Sequence, residues 1–263
     1  MPSELERELE TAIVAARRAG AIQRQYLERG VEARIKNSPI DLVTEADKAS
    51  EAAIVPLLAQ AFPHHRILSE EGGGNHTESE WVWIVDPLDG TTNFAHGYPH
   101  FAVSIALQRN GATVVGVVYD AMQDELFTAR QGAGAHCNGR PIRVSTTPRL
   151  ERSLLTSGFP YDRQTNARNN VDHFADLLMR SHSVLHSGSA ALDLAAVACG
   201  RLDGYWEFKL SPWDYAAGWL LVLEAGGRVT SPEGGHLDMQ KGDIVATNGH
   251  IHAELLARLQ QAM

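Results

Sequence analysis

The stretch WVWIVDPLDGTT, residues 81–92, passes from an unbroken apolar run into acids, a proline and a glycine. The apolar run predicts a buried strand that stops at Asp86 and delivers a carboxylate at its end. Because Pro87 fixes φ directly after the strand, the side chains of Asp86 and Asp89 can turn toward one point. The carbonyl of Leu88 can face the same point, and hard cations such as Mg²⁺ bind this mixture of carboxylate and carbonyl oxygens.

Two more acids are predicted at the ends of other elements. Glu70 follows the short apolar run Ile67–Ser69, and Asp214 falls in the first turn of a helix that starts at Trp213. Carboxylates a few ångströms apart cannot all stay ionised without cations. The cluster therefore indicates two bound divalent ions, with a third to offset the charge of a phosphate monoester. Backbone N–H groups from Gly90 onward offer a cradle for that phosphate.

The composition is that of an ordinary globular protein and excludes several function classes. The chain has 263 residues, 44% hydrophobic and 21% charged, and a formal charge of −9. Its Lys and Arg residues are scattered, so we expect no nucleic-acid partner. No secretion signal and no apolar run of about 20 residues is present, so we expect no membrane partner. Cys137 and Cys199 lack the spacing of a disulfide framework or a zinc ribbon, which favours a cytoplasmic protein.

Hydrophobic periodicity predicts an α/β protein, and its length allows one large domain or two fused lobes. We expect a single domain over residues 1–263 with halves at about 1–150 and 151–263. The first half begins with two helices, the second of which starts at Thr44 with Asp47 as its capping partner. It continues in strands, with a hairpin at Asn110–Gly111. In the second half, helical patterns alternate with short strands.

On these motifs the sequence resembles the inositol monophosphatase family of Mg²⁺-dependent, lithium-sensitive phosphatases. The resemblance covers the chain from Val31 to Gly249. The matching motifs are DLVTEAD at 41–47, SEE at 69–71, WIVDPLDGTTNF at 83–94, WDYAAG at 213–218 and EAGG at 224–227. The family resemblance implies a layered α-β-α-β-α sandwich and, as its members generally do, a homodimer.

The resemblance also implies roles for individual residues. The implied metal ligands are Glu70, Asp86, the Leu88 carbonyl, Asp89 and Asp214. The implied catalytic residues, which activate and orient the attacking water, are Glu70, Thr91 and Asp47. The implied substrate contacts are Asp89, Gly90, Thr91, Gly188, Ser189, Ala190, Glu207 and Asp214. Lys36 falls in the family's mobile metal-binding loop.

The implied reaction is Mg²⁺-dependent hydrolysis of a small-molecule phosphate monoester by direct attack of water on phosphorus. We expect myo-inositol 1-phosphate as the substrate and two to three ions as the cofactor. Relatives with the same metal core hydrolyse fructose 1,6-bisphosphate, histidinol phosphate or 3′-phosphoadenosine nucleotides. The choice among them is expected to lie in residues 159–170 and 207–212, where Arg163 and Lys209 are cations that could meet a second phosphate.

Other interpretations of the same residues stay open. Haloacid-dehalogenase-like phosphatases use the first Asp of a DxDGT motif as a covalent nucleophile, but here the spacing from Asp86 to Asp89 is one residue longer and includes Pro87. A non-catalytic module that binds a phosphorylated metabolite would need the same ligands. Ser189 could serve only as a helix N-cap, and Glu207 only as a surface acid. The twelve histidines show no zinc motif of the HExxH type.

Overall fold

Helices and strands alternate along the chain in the computed structural model, which describes residues 5–30, 33–35, 42–75, 77–239 and 241–261. The helices are α1 Glu6–Arg29, α2 Glu45–Ala61, α3 Thr91–Ala95, α4 Val171–Leu178, α5 Ala190–Ala198, α6 Pro212–Glu224 and α7 His252–Gln261. The strands are β1 Ala33–Ile35, β2 Leu42–Thr44, β3 Arg66–Ser69, β4 Trp81–Asp89, β5 Ala102–Arg109, β6 Ala112–Asp120, β7 Glu125–Arg130, β8 Ala135–Cys137, β9 Arg140–Pro141, β10 Leu154–Ser157, β11 Ser183–Leu185, β12 Gly204–Glu207, β13 Arg228–Thr230 and β14 Ile244–Thr247.

Two large sheets organise these strands in the part of the chain that the structure describes. The larger sheet has the order β3-β4-β5-β6-β7-β8-β9 and is antiparallel except for the parallel pair β3 and β4. The smaller sheet has the order β11-β10-β12-β14-β13, in which β10 runs parallel to both of its neighbours. β1 and β2 form a separate antiparallel pair.

The core lies in successive layers between the helices and these sheets. α1 and α2 cover one face of the larger sheet, where the small side chains Ala12 and Ala16 let α1 approach closely. α5 and α6 fill the space between the two sheets. α4 and α7 cover the outer face of the smaller sheet, with Leu177 and Leu255 against Trp206. This order confirms the α-β-α-β-α architecture.

Strand β4 differs from the prediction that it stops at Asp86. The strand continues to Asp89, with Asp86 opposite Ser104 and Asp89 opposite Ala102 on β5. One extra residue therefore lies on β4, which is a β-bulge. Pro87 has no N–H to donate to the strand ladder. It therefore lies in the bulge, and pairing with β5 resumes at Asp89.

The predicted start of α2 and the predicted hairpin turn agree with the structure, whereas α6 starts at Pro212, one residue before the predicted Trp213. Thr44 caps α2, and Asp47 completes the capping box. Asn110 and Gly111 have φ of 50° and 79°, the left-handed pair of a tight hairpin turn. Lys36 and the first residue of the DLVTEAD motif lie outside the described residues. Within the described ranges, none of the helices combines the length and apolar character needed to span a membrane.

Candidate active site

The bulge at the end of β4 holds the first group of predicted ligands in a buried position. Asp86 is 2% exposed, Leu88 1% and Asp89 8%. The Leu88 N–H donates to Asp86 Oδ1 at 3.0 Å. The bulge therefore has an internal hydrogen bond that fixes the direction of the Asp86 carboxylate.

Gln23 of α1 fixes the same bulge from outside and was missed by the sequence analysis. Its side chain is completely buried, and Nε2 donates to the Pro87 carbonyl at 2.8 Å. The next carbonyl, of Leu88, lies 3.1 Å from Thr91 Oγ1. The Pro87 carbonyl is thus held by α1, and the Leu88 carbonyl lies within reach of a hydroxyl at the start of α3. The available signal was a Gln on the face of α1 that also carries Ala12, Ala16 and Ala19.

Glu70 reaches the bulge because β3 runs parallel to β4. Its N–H donates to the Val85 carbonyl at 3.2 Å, directly after the last paired residues of the two strands. The buried Glu51 of α2 holds the turn that follows by accepting from the Ser69 hydroxyl and from the Gly73 N–H at 3.1 Å. The Glu70 and Asp86 carboxyl groups are neighbours, since interactions with Glu70 are among the causes that raise the pKa of Asp86.

Asp214 comes to the same place from the first turn of α6. Ser211 is the N-cap residue, Pro212 the first helical residue, and the Ser211 N–H donates to Asp214 Oδ2 at 2.7 Å. A capping box turns the side chain at the third helical position back toward the helix start. α6 packs against β4 and β5, so its start lies against the bulge.

The acids raise one another's pKa. Burial is the main cause of a pKa well above the usual range for Asp86, followed by the charges of Glu70, Asp89 and Asp214. The pKa of Asp214 is also raised well above its usual range, by burial and then by Asp89 and Glu70. Burial raises the pKa of Asp89 to about 6, against the opposing effect of hydrogen bonds from Ser189 and from backbone N–H groups.

These residues fit a hard divalent cation by the chemistry of their donor set. The set consists of carboxylate oxygens and one carbonyl, the ligands that Mg²⁺ prefers. In the described part of the chain, no Lys, Arg or His forms an ion pair with Asp86, Asp89 or Asp214. Among the same described residues, no three Asp, Glu, His or Cys side chains form a complete metal-binding group. The four acids lie close enough to influence one another's charge, but their oxygens do not form a complete coordination shell.

Thr91 and Asp47 form the predicted pair beside the bulge. Thr91 Oγ1 lies 2.9 Å from Asp47 Oδ1 and 3.1 Å from the Leu88 carbonyl. The other oxygen, Oδ2, accepts from the N–H and the hydroxyl of Thr44 at 2.8 Å and 2.5 Å. Burial raises the pKa of Asp47, although these hydrogen bonds from Thr44 and Thr91 oppose the shift. Asp47 therefore serves both the helix cap and the site.

The loops at Gly90 and Gly188 are held against each other by Asn93. Gly90 precedes α3 with φ +94°, and a Cβ there would lie 3.2 Å from the Gly188 carbonyl oxygen. Asn93 Nδ2 donates to the carbonyls of His100 and Ser187, both at 2.8 Å. The first N–H groups of α3 have no partner within the helix, as at any helix start. The predicted phosphate cradle thus borders the start of α5.

Ser189 caps α5 and also binds Asp89. Its hydroxyl donates to Asp89 Oδ2, which also accepts from the Ala191 N–H at 2.9 Å. Ser189 Oγ itself accepts from the Leu192 N–H at 3.4 Å, which is the N-cap hydrogen bond of α5. Ser189 and Ala190 are 2% and 8% exposed. The N-cap interpretation of Ser189 is therefore confirmed, and the hydroxyl additionally orients a predicted ligand.

Glu207 ends β12 as a half-buried acid rather than a surface one. The Tyr205 hydroxyl donates to its Oε2 at 2.7 Å, and burial raises the pKa of Glu207 to about 8. Asp193 of α5, missed by the sequence analysis, lies nearby and accepts from Thr156 Oγ1 at 2.9 Å. Burial raises the pKa of Asp193 to about 7. A long-range pairing of α5 with β10 creates this contact, and sequence spacing carries no signal for it.

The comparisons with known proteins agree with this fold. A model described as the inositol monophosphatase family matches residues 4–263. The chain therefore belongs to the inositol monophosphatase family. It is a phosphoric monoester hydrolase that acts on a small-molecule substrate, and the family generally depends on metal ions.

Three relatives illustrate the similarity. The inositol-1-monophosphatase of Synechocystis is 48% identical over 255 residues, which cover 97% of this chain and 89% of that protein. The Nus factor SuhB of Escherichia coli is 45% identical over 258 residues, which cover 97% of this chain and 96% of that protein. The structure of inositol monophosphatase from Anabaena has a TM-score of 0.91 and 48% identity, and the match covers 98% of this chain and 97% of that one.

Proposed function

We propose that this enzyme hydrolyses the phosphate monoester of a polyol, myo-inositol 1-phosphate foremost, with two to three Mg²⁺ ions. One observation carries the proposal. Acids from the ends of β3, β4 and α6 interact directly with Asp86, and the Thr91–Asp47 pair lies beside them. The names of the Synechocystis and Anabaena relatives support inositol phosphate as the substrate.

The proposed ligands are Glu70, Asp86, Asp89, Asp214 and the Leu88 carbonyl. Magnesium bound there would lower the pKa of a water molecule and stabilise the charge that develops during phosphoryl transfer.

Thr91 orients the attacking water in this proposal. Its hydroxyl has one proton and two acceptors within reach, Asp47 Oδ1 and the Leu88 carbonyl. When the proton points to Asp47, a lone pair of Oγ1 is available to accept a hydrogen bond from water. Asp47 keeps this orientation because its other oxygen is held by Thr44. The pair thus fixes the water oxygen relative to the phosphorus atom.

The phosphate and the leaving group are assigned to two neighbouring surfaces. The N–H groups of Gly90 and Thr91, at the start of α3, would bind phosphate oxygens. The proposed contacts of the leaving group's hydroxyls are Asp89, Gly188, Ser189, Ala190, Glu207 and Asp214. Carboxylates accept hydrogen bonds from hydroxyls, so this second surface suits a polyol.

The test is phosphate release from myo-inositol 1-phosphate as Mg²⁺ is titrated, in the wild-type enzyme and in Asp86→Asn. The wild type should be inactive without Mg²⁺ and inhibited by Li⁺. Asp86→Asn should lose at least about a hundredfold in kcat because one of the proposed metal ligands is neutralised, with the melting temperature retained. Wild-type turnover by Asp86→Asn, or activity independent of divalent ions, would refute the proposal. A trapped phosphoryl group on Asp86 would instead support the covalent mechanism.

A substrate panel decides among the alternatives with the same chemistry. Fructose 1,6-bisphosphate, histidinol phosphate and 3′-phosphoadenosine nucleotides should each give a lower kcat/KM than myo-inositol 1-phosphate. If any of them has a higher kcat/KM than myo-inositol 1-phosphate, that compound would replace inositol phosphate as the proposed substrate. Retained Mg²⁺ binding without any turnover would favour the non-catalytic module.

The relatives named Nus factor SuhB raise a second candidate, a regulatory function in addition to hydrolysis. For this chain we still propose no nucleic-acid partner, because its formal charge is −9. Fluorescence anisotropy with labelled single-stranded RNA at physiological salt should show no binding, and a saturable signal would overturn this. We further propose that the protein is cytoplasmic and forms a homodimer. Light scattering of the purified protein tests the homodimer by measuring its molar mass.

A further inference from the structure

The loop from residue 158 to residue 170, here called the rim loop, runs beside Glu207. A Cβ at Gly158 would lie 2.2–2.3 Å from the carboxyl atoms of Glu207, so the loop's first residue packs directly on that side chain. The loop's last residue, Asn170, donates from Nδ2 to the Gly158 carbonyl at 2.6 Å and to Ser157 Oγ at 2.7 Å. The two ends of the rim loop are therefore tied together next to the proposed leaving-group surface.

Lys209 lies two residues beyond Glu207 in a backbone conformation that non-glycine residues rarely adopt. Its φ is +61°, which costs about 1 kcal/mol or more for a side chain without a local compensating bond. The surroundings impose it: the Lys209 N–H donates to Asp243 Oδ1 at 3.1 Å, and the Leu210 N–H donates to the Gly242 carbonyl at 2.9 Å. The backbone is thus held in the orientation that sends the Lys209 side chain toward the rim loop.

The Lys209 ammonium forms an ion pair with both carboxylate oxygens of Asp162 in the rim loop. Nζ lies 2.9 Å from Oδ1 and 2.8 Å from Oδ2 of Asp162. The Lys209 side chain is 27% exposed and that of Asp162 44%. The lysine that could have met a second phosphate is therefore neutralised within the protein.

A second ion pair fixes the other end of the rim loop. Arg168 Nη2 lies 2.6 Å from Oδ2 of Asp243, the residue whose other oxygen holds the Lys209 backbone. The Arg168 guanidinium also lies over the Phe208 ring, 5.0 Å from its centroid. Both of these cations are consequently paired with acids, and Arg163 is the remaining cation on the rim loop.

Acids and a hydroxyl act on Glu207 in the part of the chain that the structure describes. Glu207 experiences the charges of Asp193 and Asp89, and its hydrogen bond comes from the Tyr205 hydroxyl. Acidic acceptors bind the hydroxyls of a neutral polyol, but they repel a second phosphate by Coulomb interaction. A bisphosphate could bind there only if a cation compensated for these acids.

We propose that Asp162 is a specificity-determining residue: by neutralising Lys209 it makes the rim beside Glu207 reject a second phosphate, so the enzyme selects substrates with a single phosphate on a neutral, hydroxylated leaving group. The inference rests on the proposed function, since it assumes that the leaving group lies at Glu207. Asp162 acts through Lys209 and touches neither the phosphate nor the proposed ligands. It therefore governs discrimination and not the rate of hydrolysis itself.

The test compares fructose 1-phosphate with fructose 1,6-bisphosphate, two probes that differ only in the second phosphate. For the wild type, kcat/KM should be at least about tenfold higher for the monophosphate. Asp162→Asn should raise kcat/KM for the bisphosphate about fivefold, the size expected for one exposed charge pair. Its value for the monophosphate and its melting temperature should stay unchanged. The double variant Asp162→Asn with Lys209→Gln should return the bisphosphate to the wild-type value.

The single variant Lys209→Gln removes the other partner of the same ion pair. It tests the inference if Asp162→Asn does not fold. It leaves the Asp162 charge unpaired, so kcat/KM for the bisphosphate should fall about fivefold below the wild-type value. The kcat/KM for the monophosphate should stay unchanged. A wild type that hydrolyses both probes equally overturns the inference alone. A gain that persists in the double variant also overturns it, because the gain would then not come from Lys209. Absence of activity on fructose 1-phosphate and myo-inositol 1-phosphate alike overturns the proposed function and this inference with it.

Discussion

Asp47 shows how one buried side chain can serve stability and chemistry through its two oxygens. Oδ2 accepts from the Thr44 N–H, which is one bond of the α2 capping box, and also from the Thr44 hydroxyl, whereas Oδ1 accepts from Thr91 at the site. Replacing Asp47 would disturb both functions together. Replacing the partners separates them, because Thr44 belongs to the cap and Thr91 to the site.

Thr91→Val should lower kcat for myo-inositol 1-phosphate by about a hundredfold with little change in melting temperature. The substitution keeps the shape of the side chain but removes the hydroxyl that orients water, a contribution of the size usual for a positioned proton-transfer partner. Thr91→Ser keeps the hydroxyl and should retain most of the activity. Steady-state kinetics of the two variants checks this, and equal activity of both would contradict the role of Thr91.

Thr44→Ala is the matched variant for the cap. It removes a side-chain cap of α2, so the free energy of unfolding should fall by about 1 kcal/mol. Most of the hydrolytic activity should remain, because the backbone N–H at position 44 still donates to Asp47 Oδ2 and keeps Oδ1 turned toward Thr91. Chemical denaturation and kinetics measure the two effects separately. A large loss of kcat without loss of stability would show that the separation is wrong.

Gly158→Ala should impair substrate binding more than folding. The new Cβ would lie 2.2–2.3 Å from the Glu207 carboxyl atoms, so that side chain would have to leave its bond to Tyr205. We expect KM for myo-inositol 1-phosphate to rise about tenfold. Gly235→Ala is the control, since its Cβ would have Ser231 Oγ at 3.9 Å as its nearest contact. An unchanged KM in Gly158→Ala would remove Glu207 from the substrate surface.

At the scale of elements, periodicity predicted most of the helices and strands, while contacts between distant elements were beyond its reach. The hairpin at Asn110–Gly111 and the cap at Thr44 depend on adjacent residues, so local sequence suffices. The bulge in β4 depends on pairing with β5, which the proline alone did not reveal. Gln23 and its Pro87 acceptor are 64 residues apart, and no local pattern links them.

His252, at the first position of α7, ties that helix to the smaller sheet through a neutral ring. Thr230 Oγ1 gives its proton to the Ser231 carbonyl, so it accepts from His252 Nε2–H across 3.0 Å. Thr247 Oγ1 accepts from the Gly249 N–H and can donate to His252 Nδ1 at 2.9 Å. Both ring nitrogens are satisfied only when the imidazole is uncharged. Burial, assisted by Arg228, lowers the pKa of His252 to about 4.

This arrangement predicts a loss of stability in acid. The unfolded chain takes up a proton on His252 below pH 6.5, whereas the folded protein does so only near pH 4. Between pH 6.5 and pH 4 the wild type should lose on the order of 3 kcal/mol that His252→Asn does not lose. The exposed His250→Asn is the control and should follow the wild type. Denaturation curves at pH 7, 5.5 and 4 test this, and parallel losses in all three proteins would contradict it.

At the scale of the whole molecule, the family resemblance implied the layer order, but nothing in the sequence showed how the two halves share their core. α5 and α6 both belong to the second half, yet their apolar side chains pack against strands of both sheets. Ala191 and Leu194 are completely buried in that shared layer. We therefore propose that residues 1–263 behave as one cooperative domain, as the sequence analysis expected.

Calorimetry tests this single-domain proposal. The shared helical layer should make the two halves unfold together, giving one heat-absorption peak with equal calorimetric and van't Hoff enthalpies per folding unit. Leu194→Ala, which opens a cavity in that layer, should lower the single melting temperature without splitting the peak. Two resolved peaks, in either protein, would show that the halves are separate domains.

The measurement that tests the central claim most directly is an anomalous difference map from crystals grown with Mn²⁺ in place of Mg²⁺. We predict at least two peaks at about 2.0–2.3 Å from oxygens of Asp86, Asp89 and Asp214, with the Leu88 carbonyl facing one of them. Asp86→Asn crystals should show weakened peaks in the same places. A map without metal peaks at these acids, or with the acids turned away from a common point, would contradict the account.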